Sequence, residues 1–366
     1  MPDTIPFQES FLDTHCLVDV RTPLEFEEDH IPGAVNVPLL TNDERVEIGT
    51  LYKQTGPHEA RIRGLELTAA RFPAMVAEIA ATAAGRPILV YCWRGGLRSK
   101  TVTSILDLTG FRATQMTGGY KAYRNRVVAF FEDFRPPAPL VVLHGMTGIG
   151  KTPFILGLDL SRCSVIDLEG LACHRGSAFG GVGLTQDLSQ KRFESLLWDA
   201  FRRLSPRLPI IVEGESRRIG RISLPGNMYE VMQESAKVWC EASLETRVER
   251  LIAEYGKPEY REGMAEALLR IKKRLGGDTF AEIAGYLVRW ELEPFMAELM
   301  RNYYDKVYYK ERAWREDVVI SLEDFAAAEQ ELVAFLDRRF PLLPCGTRHS
   351  SHEGEGLGEE AAEIPF

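Results

Sequence analysis

The stretch Ile88-Leu89-Val90-Tyr91-Cys92-Trp93-Arg94-Gly95-Gly96-Leu97-Arg98-Ser99 decides how the first third of the chain is read. Ile88 to Tyr91 is a continuous apolar run, as expected of a parallel strand covered on both faces. A short glycine-bearing loop follows, then a helix over Ser99 to Leu108 with Gly110 placed to cap it. Strand, loop and helix in that order put the loop at the carboxyl end of a parallel sheet, where ligands bind. The same order recurs further on. Leu140 to Leu143 reads as a strand, Gly145 to Thr152 as a glycine-rich loop, and Lys151 opens a helix.

Other strands are expected at Leu17 to Val20, Ser164 to Asp167, Pro209 to Glu213, Lys237 to Cys240 and Asp317 to Ser321. Helices should dominate from Leu244 to about Tyr304, with a last helix ending near Arg338. The run Arg135-Pro136-Pro137-Ala138-Pro139 cannot continue a helix and favours a stiff connector. Residues 1–134 are therefore read as one small α/β domain, 135–139 as a linker and 140–340 as a second α/β domain with a helical region. Residues 341–366, rich in Gly, Ser and Glu, are expected to be a disordered acidic tail.

A formal net charge of -9 excludes a bulk polycation, so nucleic acid would need a local basic patch. No basic stretch leads into an apolar run near Met1, and no run reaches the ~20 apolar residues of a membrane span. The six cysteines form no CxxC pair, which argues against a zinc site. A cytoplasmic chain with reduced thiols is expected. Cys163, Cys173 and Cys240 are read as core or incidental residues.

Cys92 is the exception. Gly95 and Gly96 let the loop curl so that backbone N–H groups face inward. Arg94 and Arg98 add positive charge, and a helix N-terminus adds about half a unit more. All three favour a thiolate, the form that attacks as a nucleophile. The plainer alternative is an inert core cysteine beside an apolar strand.

The surrounding sequence resembles the rhodanese domain over roughly residues 5 to 130. Leu17-Val18-Asp19-Val20-Arg21, Glu25-Phe26, His30 to Pro38 and Gly118-Gly119 carry the resemblance. It implies that Cys92 carries sulfur or selenium as a persulfide or perselenide. Asp19 and Arg21 are expected to form a structural ion pair at the strand ends. Cys92-x5-Arg98 is one residue longer than the common rhodanese loop, and is also the spacing of cysteine-dependent phosphatases. The longer loop can seat a tetrahedral, phosphate-sized anion, so sulfur transfer and phosphate ester hydrolysis both stay open.

Gly145-Met146-Thr147-Gly148-Ile149-Gly150-Lys151-Thr152 fits G-x-x-x-x-G-K-[ST] in the strand-to-helix context the motif requires. Gly145, Gly148 and Gly150 let N–H groups wrap a diphosphate, and Lys151 neutralises it. The Thr152 hydroxyl could reach Mg²⁺. Asp167, Glu169, Glu213 and Glu215, at the ends of later strands, are candidate contacts for Mg²⁺ or substrate. His144 is expected to pack. ATP, GTP and isoprenyl diphosphates all present the diphosphate this loop would hold.

Arg217, Arg218 and Arg221 form one basic cluster, and Lys272, Lys273 and Arg274 another, with Arg202 and Arg203 beside them in composition. Tyr255, Tyr260, Tyr303, Tyr304, Tyr308 and Tyr309 fall in the same half. Cations with interleaved aromatics suit RNA, whereas the plainer reading is a solvated helix face with ordinary packing.

Taken whole, residues 5 to 340 resemble the tRNA 2-selenouridine synthase family. Beyond the two loops, Asp167 to Ala172, His174 to Gly180 and Glu215 to Gly220 carry the match. The fold implied is α/β: an N-terminal rhodanese-like α/β domain, then a P-loop NTPase-like parallel-sheet domain with a helical C-terminal part. The resemblance further implies a transferase acting on tRNA that contains wobble 2-thiouridine. Its substrates would be geranyl diphosphate and selenophosphate, with no tightly bound cofactor. The thiouridine sulfur would be geranylated first and then displaced by selenium. Two rivals stand beside this reading: a rhodanese- or phosphatase-like domain fused to an ATP-dependent small-molecule kinase, and a non-catalytic RNA-binding module.

Overall fold

The computed structural model describes residues 3–311 and 314–341. Two five-stranded sheets, each parallel throughout, organise it. The first contains β1 (Thr4–Pro6), β2 (Cys16–Asp19), β3 (Val35–Asn36), β4 (Ile88–Tyr91) and β5 (Ala113–Thr117), in the order β1-β5-β4-β2-β3. The second contains β6 (Leu140–Gly145), β7 (Ser164–Ile166) and β8 (Ile210–Glu213). After the two-residue hairpin strands β9 (Arg218–Ile219) and β10 (Ile222–Ser223), it is completed by β11 (Ala236–Glu241) and β12 (Val318–Ser321). Its order is β12-β11-β6-β8-β7. β4 is buried along its whole length, which is why its sequence is unbroken in apolar residues.

Element boundaries move slightly from expectation. The helix after Cys92 begins at Leu97 and ends at Leu108. Gly110 takes φ +86°, and the Phe111 N–H donates to Leu106 O at 2.9 Å, so the glycine stops this helix. β7 ends at Ile166, because Asp167 caps the next helix. The helical region runs past Tyr304, through a π turn at Met300–Tyr304, into a helix at Asp305–Glu311. The expected acidic tail lies outside the described residues, apart from residue 341. No helix among the described residues is long and apolar enough to cross a membrane.

The proline-rich connector does not separate two independent cores. Tyr91, Tyr120, Tyr123 and Phe131 share one buried cluster with Phe193, Leu197, Trp198 and Phe201 from the second sheet's side. Tyr123 meets Trp198 edge-on at 5.5 Å, and Phe134 meets Phe201 at 5.1 Å. Across the same seam Asp29 accepts from the Tyr120 hydroxyl at 2.6 Å and from the Ser195 hydroxyl at 2.8 Å. A second core, built around Phe295, Met264 and Ile283, holds the helical part.

Candidate functional site

Cys92 is the first residue after β4, and its side chain is buried. The Gly96 N–H donates to Sγ at 3.2 Å, and the Ser99 hydroxyl lies 3.2 Å from the same sulfur. Gln115 on β5 donates to the Ser99 hydroxyl at 2.9 Å and to Gly95 O at 2.8 Å. Ser99 and Gln115 thus fix the loop from behind. The helix Gly119–Glu132 closes it from the side: the N–H groups of Tyr120 and Lys121 donate to Cys92 O and Trp93 O. Gly119, at φ +56°, leaves no room for a Cβ, which would collide with Cys92 O.

The two loop arginines differ in position. Arg94 is exposed at the rim. Arg98 is half-buried and pairs with Glu25 at 2.6 Å, so its charge is answered by a carboxylate rather than left free for the sulfur, as the sequence suggested. Burial works to raise the Glu25 carboxyl, but the Arg98 hydrogen bond and charge outweigh it and hold Glu25 below its usual range. Asp19 and Arg21 form a buried pair at 2.6 Å, and Arg21 also donates to Asp29 O at 2.7 Å and lies 4.0 Å over the Tyr120 ring. That geometry fixes the strand ends.

At the second loop, Gly148 and Gly150 take φ +79° and +87°, and a Cβ on Gly148 would meet Leu251 at 2.8 Å. Lys151 is buried and donates to Gly145 O at 3.3 Å. The Thr152 hydroxyl lies 3.1 Å from Glu169 Oε2 and 2.5 Å from Glu213 Oε1. One proton serves two carboxylates there. Burial, with repulsion from Glu215, raises Glu169 to about 8, and burial, with repulsion from Glu169, raises Glu213 to about 7. Burial also raises Glu215, against the pull of Lys151. Burial alone would lower Lys151; Tyr308 and the three glutamates reverse the sign and raise it.

Asp167 is near enough for its charge to act on Glu213, but it has a second duty. Its carboxylate accepts from the Gly170 N–H at 2.7 Å and caps the helix Leu168–Leu171. Glu169, Glu213 and Thr152 offer an oxygen set that suits a hard cation completed by substrate oxygens. Among the described residues no group of three or more His, Cys, Asp or Glu side chains is arranged to hold a metal ion by itself. His144 packs against Trp314, with the ring centres 4.1 Å apart and the planes tilted by 39°.

Two arginines that the sequence reading passed over clamp the loop. Arg247 donates to Thr147 O at 2.9 Å and pairs with Asp305 at 2.6 Å, and Arg250 donates to Ile149 O at 2.6 Å. Both project from the helix Leu244–Tyr255. Their spacing of three residues on an amphipathic helix was the available signal.

The basic clusters divide. Arg217, Arg218 and Arg221 are exposed on and beside the β9–β10 hairpin, and Lys272, Lys273 and Arg274 are exposed on the last turn of the helix Arg261–Leu275. Arg202 leaves the set: it is buried in pairs with Asp13 and Asp199 at the domain seam. Tyr255 and Tyr304 leave it too, because they are packed in the helical core; Tyr303 packs there as well but keeps an edge on the cavity between the helix Arg261–Leu275 and the β9–β10 hairpin. The side chain of Tyr309 lies outside the described residues.

Fold and loops together define a rhodanese-like domain, with its cysteine loop intact, fused to a P-loop domain. Residues 8–126 match the model of the rhodanese-like domain, and residues 138–339 match that of the tRNA 2-selenouridine synthase AAA domain. A tRNA 2-selenouridine synthase of Cupriavidus pinatubonensis is 35% identical, over 89% of this chain and 96% of its own. One of Pseudomonas putida strain GB-1 is 33% identical, over 92% and 98%. Among solved structures, a gluconokinase from Sinorhizobium meliloti 1021 is 17% identical and covers 56% of this chain and 95% of its own. Its TM-score is 0.28, too low to carry an argument. The chain belongs to the tRNA 2-selenouridine synthase family, and is an enzyme of that family.

Proposed function

We propose that this chain converts wobble 2-thiouridine in tRNA to 2-selenouridine, in two steps divided between its two loops. One observation carries the reading: a single chain holds two distinct anion loops, one presenting a cysteine sulfur and the other a lysine. At the Gly145–Thr152 loop, the thiouridine sulfur attacks C1 of geranyl diphosphate. A C–S bond forms, the C–O bond breaks, and diphosphate leaves with the electron pair. Lys151 and the loop N–H groups take up that charge. Mg²⁺, held by Thr152, Glu213 and Glu169, would neutralise the leaving group further.

The second step belongs to the Cys92 loop, which seats selenophosphate. The Cys92 thiolate attacks phosphorus, the P–Se bond breaks, and selenium departs as selenide. Selenide adds at C2 of the S-geranylated base and geranyl thiolate leaves. Water then releases phosphate from the sulfur. Electrons balance with no oxidant. Making a perselenide from a thiolate and selenophosphate would instead require an oxidant or the expulsion of phosphite, which favours the phosphatase-like use of the Cys92-x5-Arg98 spacing.

The test is nucleoside mass spectrometry after incubating the protein with 2-thiouridine tRNA, geranyl diphosphate and selenophosphate. Cys92→Ser should stop at S-geranyl-2-thiouridine. Lys151→Ala should fail to geranylate, yet still selenate tRNA supplied already S-geranylated. Wild-type protein that leaves the tRNA unchanged would overturn the reading, as would variants that impair neither step.

A further inference from the structure

A cavity of about 730 Å³, sharing no lining residue with either loop, opens between the segment His174–Gln186, the β9–β10 hairpin and the helix Arg261–Leu275. Its volume falls in the range of small-molecule sites. Two of its walls come from His174 to Gly180 and Glu215 to Gly220, segments that carry the family resemblance, and neither loop chemistry accounts for them. We propose that this cavity receives one pyrimidine nucleotide of single-stranded RNA, turned out of its stack, and so presents the base to the phosphate loop. The proposal rests on the function proposed above and assigns its nucleic-acid seat.

Position is the first support. Gly176, at φ +62°, forms part of the cavity wall, and any Cβ there would strike the carboxylate of Glu215. Glu215 in turn acts on Lys151 and on Glu169. Glu215 thus backs the cavity wall on one side and shares the electrostatic field of the phosphate-loop lysine on the other. The cavity is therefore on the phosphate-loop side of this domain, as alkyl transfer from a diphosphate to a base requires.

The lining is the second. The His174 imidazole is slotted between glycines: a Cβ on Gly180 or Gly220 would come within 2.9 or 2.7 Å of the ring. Its Nδ1 is buried and has no hydrogen-bond partner. Burial, with Arg175 and Arg270 adding to it, lowers the His174 pKa, so the ring is neutral and can serve as donor or acceptor to a base edge. Glu266, in the same wall, offers an acceptor for a ring N–H. Arg218, Arg221 and Arg270 also line the cavity, in a chain whose net charge is -9. Of their ion pairs, Arg221 with Asp187 and Arg270 with Glu266 are exposed and 3.9 Å long, too weak to hold the guanidiniums from a phosphate. An uncharged geranyl chain would have no use for them. Chemistry on a base atom requires the base out of its stack, and the cavity supplies the place.

The experiment uses the full chain and a fluorescein-labelled single-stranded heptanucleotide with a central 2-thiouridine, read by anisotropy. Geranyl diphosphate binding is followed in parallel by calorimetry. Gly263→Leu projects a side chain into the cavity from a helix; its Cβ would sit 3.6 Å from Val182, an ordinary contact, so the fold should survive. Expected are an at least tenfold loss of RNA affinity with geranyl diphosphate binding within twofold of wild type. Arg270→Ala should weaken RNA binding at least fivefold, while Arg61→Ala on a distant exposed helix changes it by less than twofold. RNA binding that is normal in Gly263→Leu and Arg270→Ala overturns the cavity assignment and leaves the proposed function standing. Loss of geranyl diphosphate binding in Gly263→Leu, with RNA retained, assigns the cavity to the alkyl chain instead. Wild-type protein that does not bind the heptanucleotide overturns the cavity assignment and counts against the function on which it rests.

Discussion

Ser99 shows what one hydroxyl can do beside a reactive sulfur. Gln115 donates into its oxygen, so its own proton points to Cys92 Sγ or to Gly96 O. A hydrogen bond to a charged partner contributes about 1.5–3 kcal/mol. Ser99→Ala should therefore slow selenation of pre-geranylated tRNA by about ten- to a hundredfold while leaving geranylation intact, as single-turnover mass spectrometry would show. Equal loss in both steps would mean that Ser99 merely supports the fold. The acids at the other loop give a pH signature. Glu169 and Glu213, raised to about 8 and about 7, hold protons in the folded chain that the unfolded chain has already released. Stability of the ligand-free protein, in chelator, should thus fall as pH rises from about 5 to about 8. Glu169→Gln removes one of the acids and relieves its neighbour, and should flatten that slope in urea titrations across the range. Cys92 and Lys151 were legible because motif, strand and helix coincide in sequence. Glu25 and Gln115 were not: they meet the loop from 73 and about 20 residues away, and only the sheet order β5-β4-β2 brings them there.

Elements were read best where burial is uniform. β4 is apolar throughout, and β8 is apolar up to its terminal Glu213, because the parallel sheet covers both faces. β3, β9 and β10 have two residues each, too few for any periodicity to register. The tyrosines failed for another reason. On an amphipathic helix, an aromatic that packs and an aromatic that stacks on a base occupy the same register, and Tyr255, Tyr303 and Tyr304 pack. Glycines at positive φ separate conformation from contact. Gly85 (φ +84°) has nothing within 4 Å of a would-be Cβ, while Gly119 (φ +56°) has Cys92 O, Gly95 N and Arg94 N in the way. Gly85→Ala should cost about 1–2 kcal/mol, the strain of a left-handed alanine alone. Gly119→Ala should cost more than that and also impair selenation, since the displaced atoms belong to the cysteine loop. Urea unfolding of the two variants side by side checks both; similar costs would mean that the loop yields freely.

At the scale of the molecule, the seam is a core. The sequence suggested two bodies joined by a stiff connector, and the rings of Tyr123, Phe134, Trp198 and Phe201 join them instead. A chain built so should unfold in one transition, with Trp198 fluorescence and helical signal falling together. Asp29 tests the coupling, because it is buried at the seam and holds the hydroxyls of Tyr120 and Ser195 from opposite sides. Asp29→Ala leaves two buried donors without an acceptor, at about 1–3 kcal/mol each. Asp29→Asn keeps an acceptor and removes the burden of a buried charge. Burial raises the Asp29 carboxyl, although the bonds from Tyr120 and Ser195 and the charge of Arg192, 3.8 Å away, act against it. Its contribution to stability is therefore complete below the ordinary aspartate value and declines as pH climbs through the raised one. The advantage of Asn over Asp should accordingly grow with pH, and Asp29→Ala should lower the midpoint of the whole chain. If Asp29→Ala split the curve and moved only an early transition, the seam would be an interface between two separately stable domains, and the shared cluster would not be what holds the cysteine loop and the phosphate loop in one frame.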